Sequence, residues 1–234
     1  MISKIRPILL CAAACAFLCT GGLTVHAATI LKLNLGGSGP DVRFAAGVLG
    51  TSDDLNATTA GDQNTAIEYT GFLDPIPDVN TAVASFSLSG VAVVGAPSVA
   101  GVVAQNFSGG ALSLYDPSNT LLLSGTLGDS TLVGTLGPPA TAAVFSTTFG
   151  SVTGGALAPF IVDNSLSLSI NLTNVNGGAG LSLDGQALGG FTADSFVNVG
   201  GNPTDAAGGL PEPGTLVLAA ISLFAGVAVR RRAA

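Results

Sequence analysis

Apolar and polar residues alternate most cleanly over residues 165–173, where Leu166, Leu168, Ile170 and Leu172 share one face and Ser165, Ser167, Ser169 and Asn171 the other. A side-chain period of two is that of an extended strand with one face buried. Residues 83–89 repeat the pattern, with Phe86 and Leu88 opposed to Ser85, Ser87 and Ser89. Residues 112–115 and 120–125 flank Asp116-Pro117-Ser118-Asn119 and predict a β-hairpin, because Pro117 presets the turn and Asn119 tolerates a left-handed backbone. Further strands are expected at 29–35, 66–72, 99–107, 131–136, 142–149, 181–183 and 191–199. Short strands between Gly, Pro, Asn and Asp clusters predict an all-β chain, a single antiparallel β-sandwich-like or barrel-like domain.

The alternation stops at both ends, where continuous apolar runs take over. In residues 1–27, Lys4 and Arg6 precede the apolar run 8–19, and Val25-His26-Ala27 ends in small residues. That order predicts a secretory signal peptide cut between Ala27 and Ala28. The run at 215–229 would span roughly 22 Å as a helix at about 1.5 Å per residue, short of the ~30 Å hydrocarbon core. Arg230, Arg231 and Arg232 behind it can snorkel to the headgroups and mark a cytoplasmic end. Before it, Pro211-Glu212-Pro213 is stiff, since each proline fixes its own backbone and Pro213 biases Glu212 towards extension. The expected organisation is a signal-peptide helix at 1–27, a secreted body at 28–199, a Gly-rich spacer at 200–210, and a terminal unit at 211–232 with a transmembrane helix.

The order Pro211-Glu212-Pro213, short apolar helix, arginine cluster resembles the PEP-CTERM sorting signal of Gram-negative bacteria. The resemblance implies that Pro211, Glu212 and Pro213 are the motif read by exosortase, a membrane transpeptidase, that 215–229 is a transient inner-membrane anchor, and that Arg230, Arg231 and Arg232 are the membrane stop. It also implies processing by exosortase and an association with exopolysaccharide or biofilm, while the N-terminal pattern calls for signal peptidase. LPEPG resembles the sortase signal LPxTG less well, because Pro213 replaces the threonine at which acyl transfer occurs. A glycolipid-anchor signal would share the small residues Gly208 and Gly209, but not the terminal arginines.

Composition narrows the body further. Hydrophobic residues make up 47% and charged residues 9% of the chain, the reverse of a disordered composition. Of the 14 acidic residues only Glu212 lies outside 28–210, and that segment holds just two cations, Lys32 and Arg43. Such a surface is a poor partner for nucleic acid or anionic lipid. Cys11, Cys15, Cys19 and His26 all lie in the expected signal peptide. Its removal leaves no disulfide, no Cys or His metal ligand and no Ser-His-Asp or Cys-His catalytic group.

Oxygen-only chemistry is what remains. Asp53, Asp54, Asn56, Asp62 and Asn64 are spaced for a Ca²⁺ loop, although the EF-hand pattern is absent; an acidic surface loop without a cofactor is the reading adopted. Glu68 and the aspartates could supply a paired-carboxylate hydrolase, but their spacing shows no motif. Tyr69 and Tyr115 are the tyrosines available as sugar platforms. The expectation is a non-enzymatic protein of the cell surface or extracellular matrix, structural or adhesive. The alternatives are a secreted carbohydrate-binding module and, behind it, a carboxylate-dependent hydrolase.

Overall fold

The computed structural model describes residues 28–37, 39–53, 56–73, 81–100, 102–138, 142–162 and 165–203, with backbone alone for Asn56–Ala60. The expected signal peptide, the sorting motif with its apolar run and arginines, and Asp54 lie outside the described residues. Among the described residues there is no α-helix, and no helix is long and apolar enough to cross a membrane.

The chain folds as antiparallel β-structure. Its strands are β1 (Ala28–Leu35), β2 (Val42–Ala45), β3 (Val48–Asp53), β4 (Asn56–Ala60), β5 (Asp62–Tyr69), β6 (Val83–Ser89), β7 (Val91–Val99), β8 (Val103–Ser108), β9 (Ala111–Tyr115), β10 (Leu121–Gly134), β11 (Ala143–Gly154), β12 (Ser167–Thr173), β13 (Leu183–Asp184), β14 (Ala187–Leu188) and β15 (Phe191–Gly201). All but β13 and β14 belong to one 13-stranded sheet. Neighbours run β1-β5-β6-β9-β10-β11-β12-β15, and β15 pairs β1 again, so the hydrogen-bonded circuit closes. A second circuit leaves β15 through β2, β3, β7 and β8 and rejoins at β10.

Two long strands make this branching possible. One edge of β10 is lined by β11, while the other is taken by β9 over Thr126 and earlier residues and by β8 from Ser130 onward. A register shift between Leu127 and Ser130 separates the two partners, as expected of a bulge that bends a strand. Similarly, β15 pairs β2 at Phe191–Ala193 and β1 from Ser195, with β12 along its other edge. Closure leaves few open sheet edges, the usual templates for unwanted strand pairing.

The alternating residues point as the periodicity predicts. Leu166, Leu168, Ile170 and Leu172 are buried, as are Ala84, Phe86 and Leu88. Phe44, Phe107, Phe145 and Phe191 meet inside the second circuit, with ring centroids 5.6 to 6.0 Å apart. Each fully buried ring of this kind contributes roughly 1.5–3 kcal/mol. The Asp116–Asn119 turn forms as expected: Asn119 N–H donates to the Asp116 carbonyl, Thr120 N–H donates to Asp116 Oδ1 at 2.7 Å, and Asn119 has φ 62°.

Several boundaries differ from the sequence reading. The strand expected at 66–72 begins at Asp62 and gives way to a 3-10 turn at Gly71–Leu73. The single strand expected at 99–107 is divided between the end of β7 at Val99 and β8 from Val103. The strands expected at 120–125 and 131–136 are one strand, β10. Gly200 and Gly201, read as the start of the spacer, are the last residues of β15, and Pro203 bridges to Ile161. In each case ladder partners extend or interrupt a segment whose own composition does not mark the boundary.

Candidate functional site

Among the described residues, polar side chains enter the interior where β15 changes partners, where β3 passes β6, at the start of β5, and along β8, β10 and β11. Asp41, just before β2, is 1% exposed. Its backbone N–H donates to Ala193 O at 2.9 Å, its carbonyl accepts from Ser52 N–H at 2.8 Å, and its Oδ2 accepts from Ser195 N–H. The carboxylate therefore serves the backbone at the point where β15 passes from β2 to β1. Burial pushes its pKa up to about 7, with the nearby charges of Asp62 and Asp194 adding to the rise and the Ser195 hydrogen bond opposing it. Thr51 stitches β3 to β6, its Oγ1 accepting from Leu88 N–H at 2.8 Å.

Asp62 is also 1% exposed. Its Oδ1 accepts from Asn64 N–H and from Thr65 Oγ1, both at 3.0 Å. These bonds hold a bulge in β5: Asp62 faces Phe86 and Thr65 faces Ala84, three steps on one strand against two on the other. In a regular strand one of Gln63 and Asn64 would point inward; here both are exposed. Gly61 leads into the bulge with φ +83°, and a Cβ there would stand 3.0 Å from Phe86 O.

Those two amides open onto a groove of 590 Å³ across β5, β6 and the β9–β10 turn, lined also by Ser85, Ser87, Tyr115 and Asp116. Ser85 is paired directly opposite Tyr115, so the ring lies on the outer face of the sheet beside the serine row. Tyr115 is half-buried. Among the described residues no Lys or Arg lines the groove.

A second groove, of 520 Å³, follows the outer face of the shared strands past Ser146, Ser169, Asn198 and Asp129. The registers place Asn106, Thr131, Ser146, Ser169 and Asn198 side by side across five strands. This row offers hydroxyls and amides without an aromatic platform.

Of the residues considered for Ca²⁺, Asp54 and the side chain of Asn56 lie outside the described residues. Asp62 is turned inward and organises the bulge, whereas Asn64 faces the groove. Among the described residues no group of three or more His, Cys, Asp or Glu side chains could hold a metal ion. Asp41 and Asp62 influence each other electrostatically, yet both are sealed from solvent. Glu68 lies on the surface, 2.8 Å from Lys32 Nζ. Tyr69 is 5% exposed, with its hydroxyl accepting from Thr81 N–H at 3.4 Å and its pKa raised by burial. Of the two tyrosines considered as sugar platforms, only Tyr115 is open to a ligand.

Asp41 and Gln63 are not among the candidate site residues of the sequence, and Ser85 and Ser87 read there only as the polar face of a strand. The run Asp62-Gln63-Asn64-Thr65 did carry a local sign, since an Asp side chain that caps N–H groups two and three residues on is a common turn device. The spacing of the groove residues over three strands gave none.

No curated protein and no solved structure matches the chain. Residues 210–232 match the family model of the PEP-CTERM protein-sorting motif, a stretch that includes Pro211, Glu212, Pro213, Arg230, Arg231 and Arg232. The motif implies export, exosortase as the processing partner, and a cell-surface or extracellular destination. The chain therefore carries a PEP-CTERM protein-sorting motif at 210–232.

Proposed function

We propose that the chain is a non-enzymatic surface protein, exported with its signal peptide removed between Ala27 and Ala28, held briefly in the inner membrane by 215–229, and released by exosortase at Pro211-Glu212-Pro213. Its body would then act as a structural or adhesive component of extracellular polysaccharide or biofilm. The observation that carries this reading is the motif match at 210–232. The acidic, hydroxyl-rich exterior of the body suits a protein that stays soluble among polysaccharide chains. Fractionating cells with and without exosortase tests the proposal. The body is expected at the surface or in the medium when exosortase is present and in the inner membrane when it is absent. An unchanged distribution would refute exosortase handling.

One observation favours a second, compatible reading as a carbohydrate-binding module: Tyr115 sits beside Asp116 and two amides in a groove. Saccharide retention by the purified chain separates an adhesive body from an inert structural one.

A further inference from the structure

We infer that the groove at Gln63, Asn64, Tyr115 and Asp116 is a binding site for a neutral saccharide chain, with Asp62 as its positioning residue. The inference deepens the carbohydrate-binding reading above and does not depend on how the chain reaches the surface.

Four features carry it. The first is the pair of adjacent amides. A bulge that turns Gln63 and Asn64 out together costs ladder pairing, and the buried Asp62 carboxylate is committed to holding it, with Oδ1 bonded to Asn64 N–H and Thr65 Oγ1. Each outward amide offers a carbonyl acceptor and an NH₂ donor, the combination that matches a hydroxyl able to give and take a proton.

The second feature is Tyr115, a half-buried ring held on the outer face by the hairpin turn that Asp116 closes. Its ring can take the C–H face of a sugar while Ser85 and Ser87 meet the hydroxyl edge. The amides on β5 and the ring on β9 are separated by β6, which is two strand spacings or about 10 Å. That span suits a short run of sugar rings.

Charge is the third feature. Among the described residues the groove holds the Asp116 carboxylate and no cation, a lining that disfavours uronic acids and sulfated or phosphorylated sugars. The fourth is volume: 590 Å³ falls within the range of small-ligand sites, and its lining mixes a few directed polar groups with one aromatic. A peptide is the poorer fit. The strand that runs through the groove, β6, is paired to β5 on one side and to β9 on the other, leaving it no edge for strand addition, and the lining is mostly polar rather than an apolar pocket that would anchor a side chain.

The test uses the purified full chain in dodecyldimethylamine oxide, a detergent without a sugar headgroup, run through native gels containing hydroxyethylcellulose, galactomannan or polygalacturonate. Retardation is expected in at least one of the two neutral gels and not in polygalacturonate. Tyr115→Ala should weaken it tenfold or more, Tyr115→Phe should preserve most of it, and Gln63→Ala with Asn64→Ala should weaken it about threefold to tenfold. Absence of retardation in both neutral gels, equal retardation in polygalacturonate, or a Tyr115→Ala chain retarded like the parent would each overturn the inference. If Tyr115→Ala lowers the unfolding midpoint, the exposed Gln63 and Asn64 variants decide, because neither side chain packs in the core. Binding is read on purified protein and sorting in cells, so either can fail without the other.

Discussion

Residues 210–232 and the body at 28–203 hold information in opposite ways. In the tail it is linear: three residues, an apolar run and three arginines stand in a fixed order within the stretch that matches the sorting-motif model. In the body it is spatial: Gln63, Ser85 and Tyr115 are far apart in sequence and meet only because β5, β6 and β9 lie side by side. A linear signal survives without a fold, whereas a groove exists only while the sheet holds its register. Substitutions in the tail should therefore change where the protein goes and leave its stability alone, and substitutions in the body should do the reverse.

The largest effect is expected in the tail. Replacing Pro211, Glu212 and Pro213 together by alanine should lower the released protein tenfold or more, by immunoblot of medium and membrane fractions, with the thermal midpoint of the body unchanged. A stable body that is still released would break the comparison. Within the body, Ile170→Ala should cost about 2–5 kcal/mol in denaturant unfolding, as other large-to-small core changes do. Its exposed-face neighbour Ser169→Ala should stay within about 0.5 kcal/mol.

Asp41 sharpens the contrast through pH. Its folded pKa of about 7 lies above the ordinary 3.8, so the folded state binds more protons than the unfolded chain between those values. The contribution of Asp41 to stability should therefore be fully present near pH 4 and below, fall as pH rises through 4 to 7, and be lost above. The fall should be on the order of 2–4 kcal/mol. Asp41→Asn keeps an acceptor for Ser195 N–H and should flatten that slope in unfolding curves recorded across the range. Asp62 and Asp194 are the charged groups near it, and a slope unchanged in Asp41→Asn would contradict the assignment to Asp41.

Smaller changes follow. Asp62→Ala removes the acceptor shared by Asn64 and Thr65 and should cost about 1–3 kcal/mol while weakening retention in neutral gels. Glu68→Gln breaks the ion pair with Lys32, whose side chains are 38% and 62% exposed, and should cost under about 0.5 kcal/mol.

How much was legible in advance follows the same division. The tail could be read residue by residue, and so could β12, β6 and the Asp116 turn, because alternation and turn chemistry are local. β2, β3, β4 and most of β7 escaped notice. Val42-Arg43-Phe44-Ala45 is too short to show a period, and Val91–Val99 is interrupted by Gly95 and Pro97. The acidic stretch at 53–64 reads as a surface loop, with Ca²⁺ as the lesser reading, because oxygen ligands at short spacing look alike whether they face out or in. Burial decides between these, and burial of Asp62 depends on where β6 lies, which no local pattern states.

Both halves of the account meet in the mature protein recovered from the cell surface or medium, and its intact mass is the most direct test. A chain that begins at Ala28 and has lost the residues beyond the Pro211-Glu212-Pro213 motif is the predicted result. A recovered chain that still carries Arg230, Arg231 and Arg232 in cells with active exosortase would contradict it.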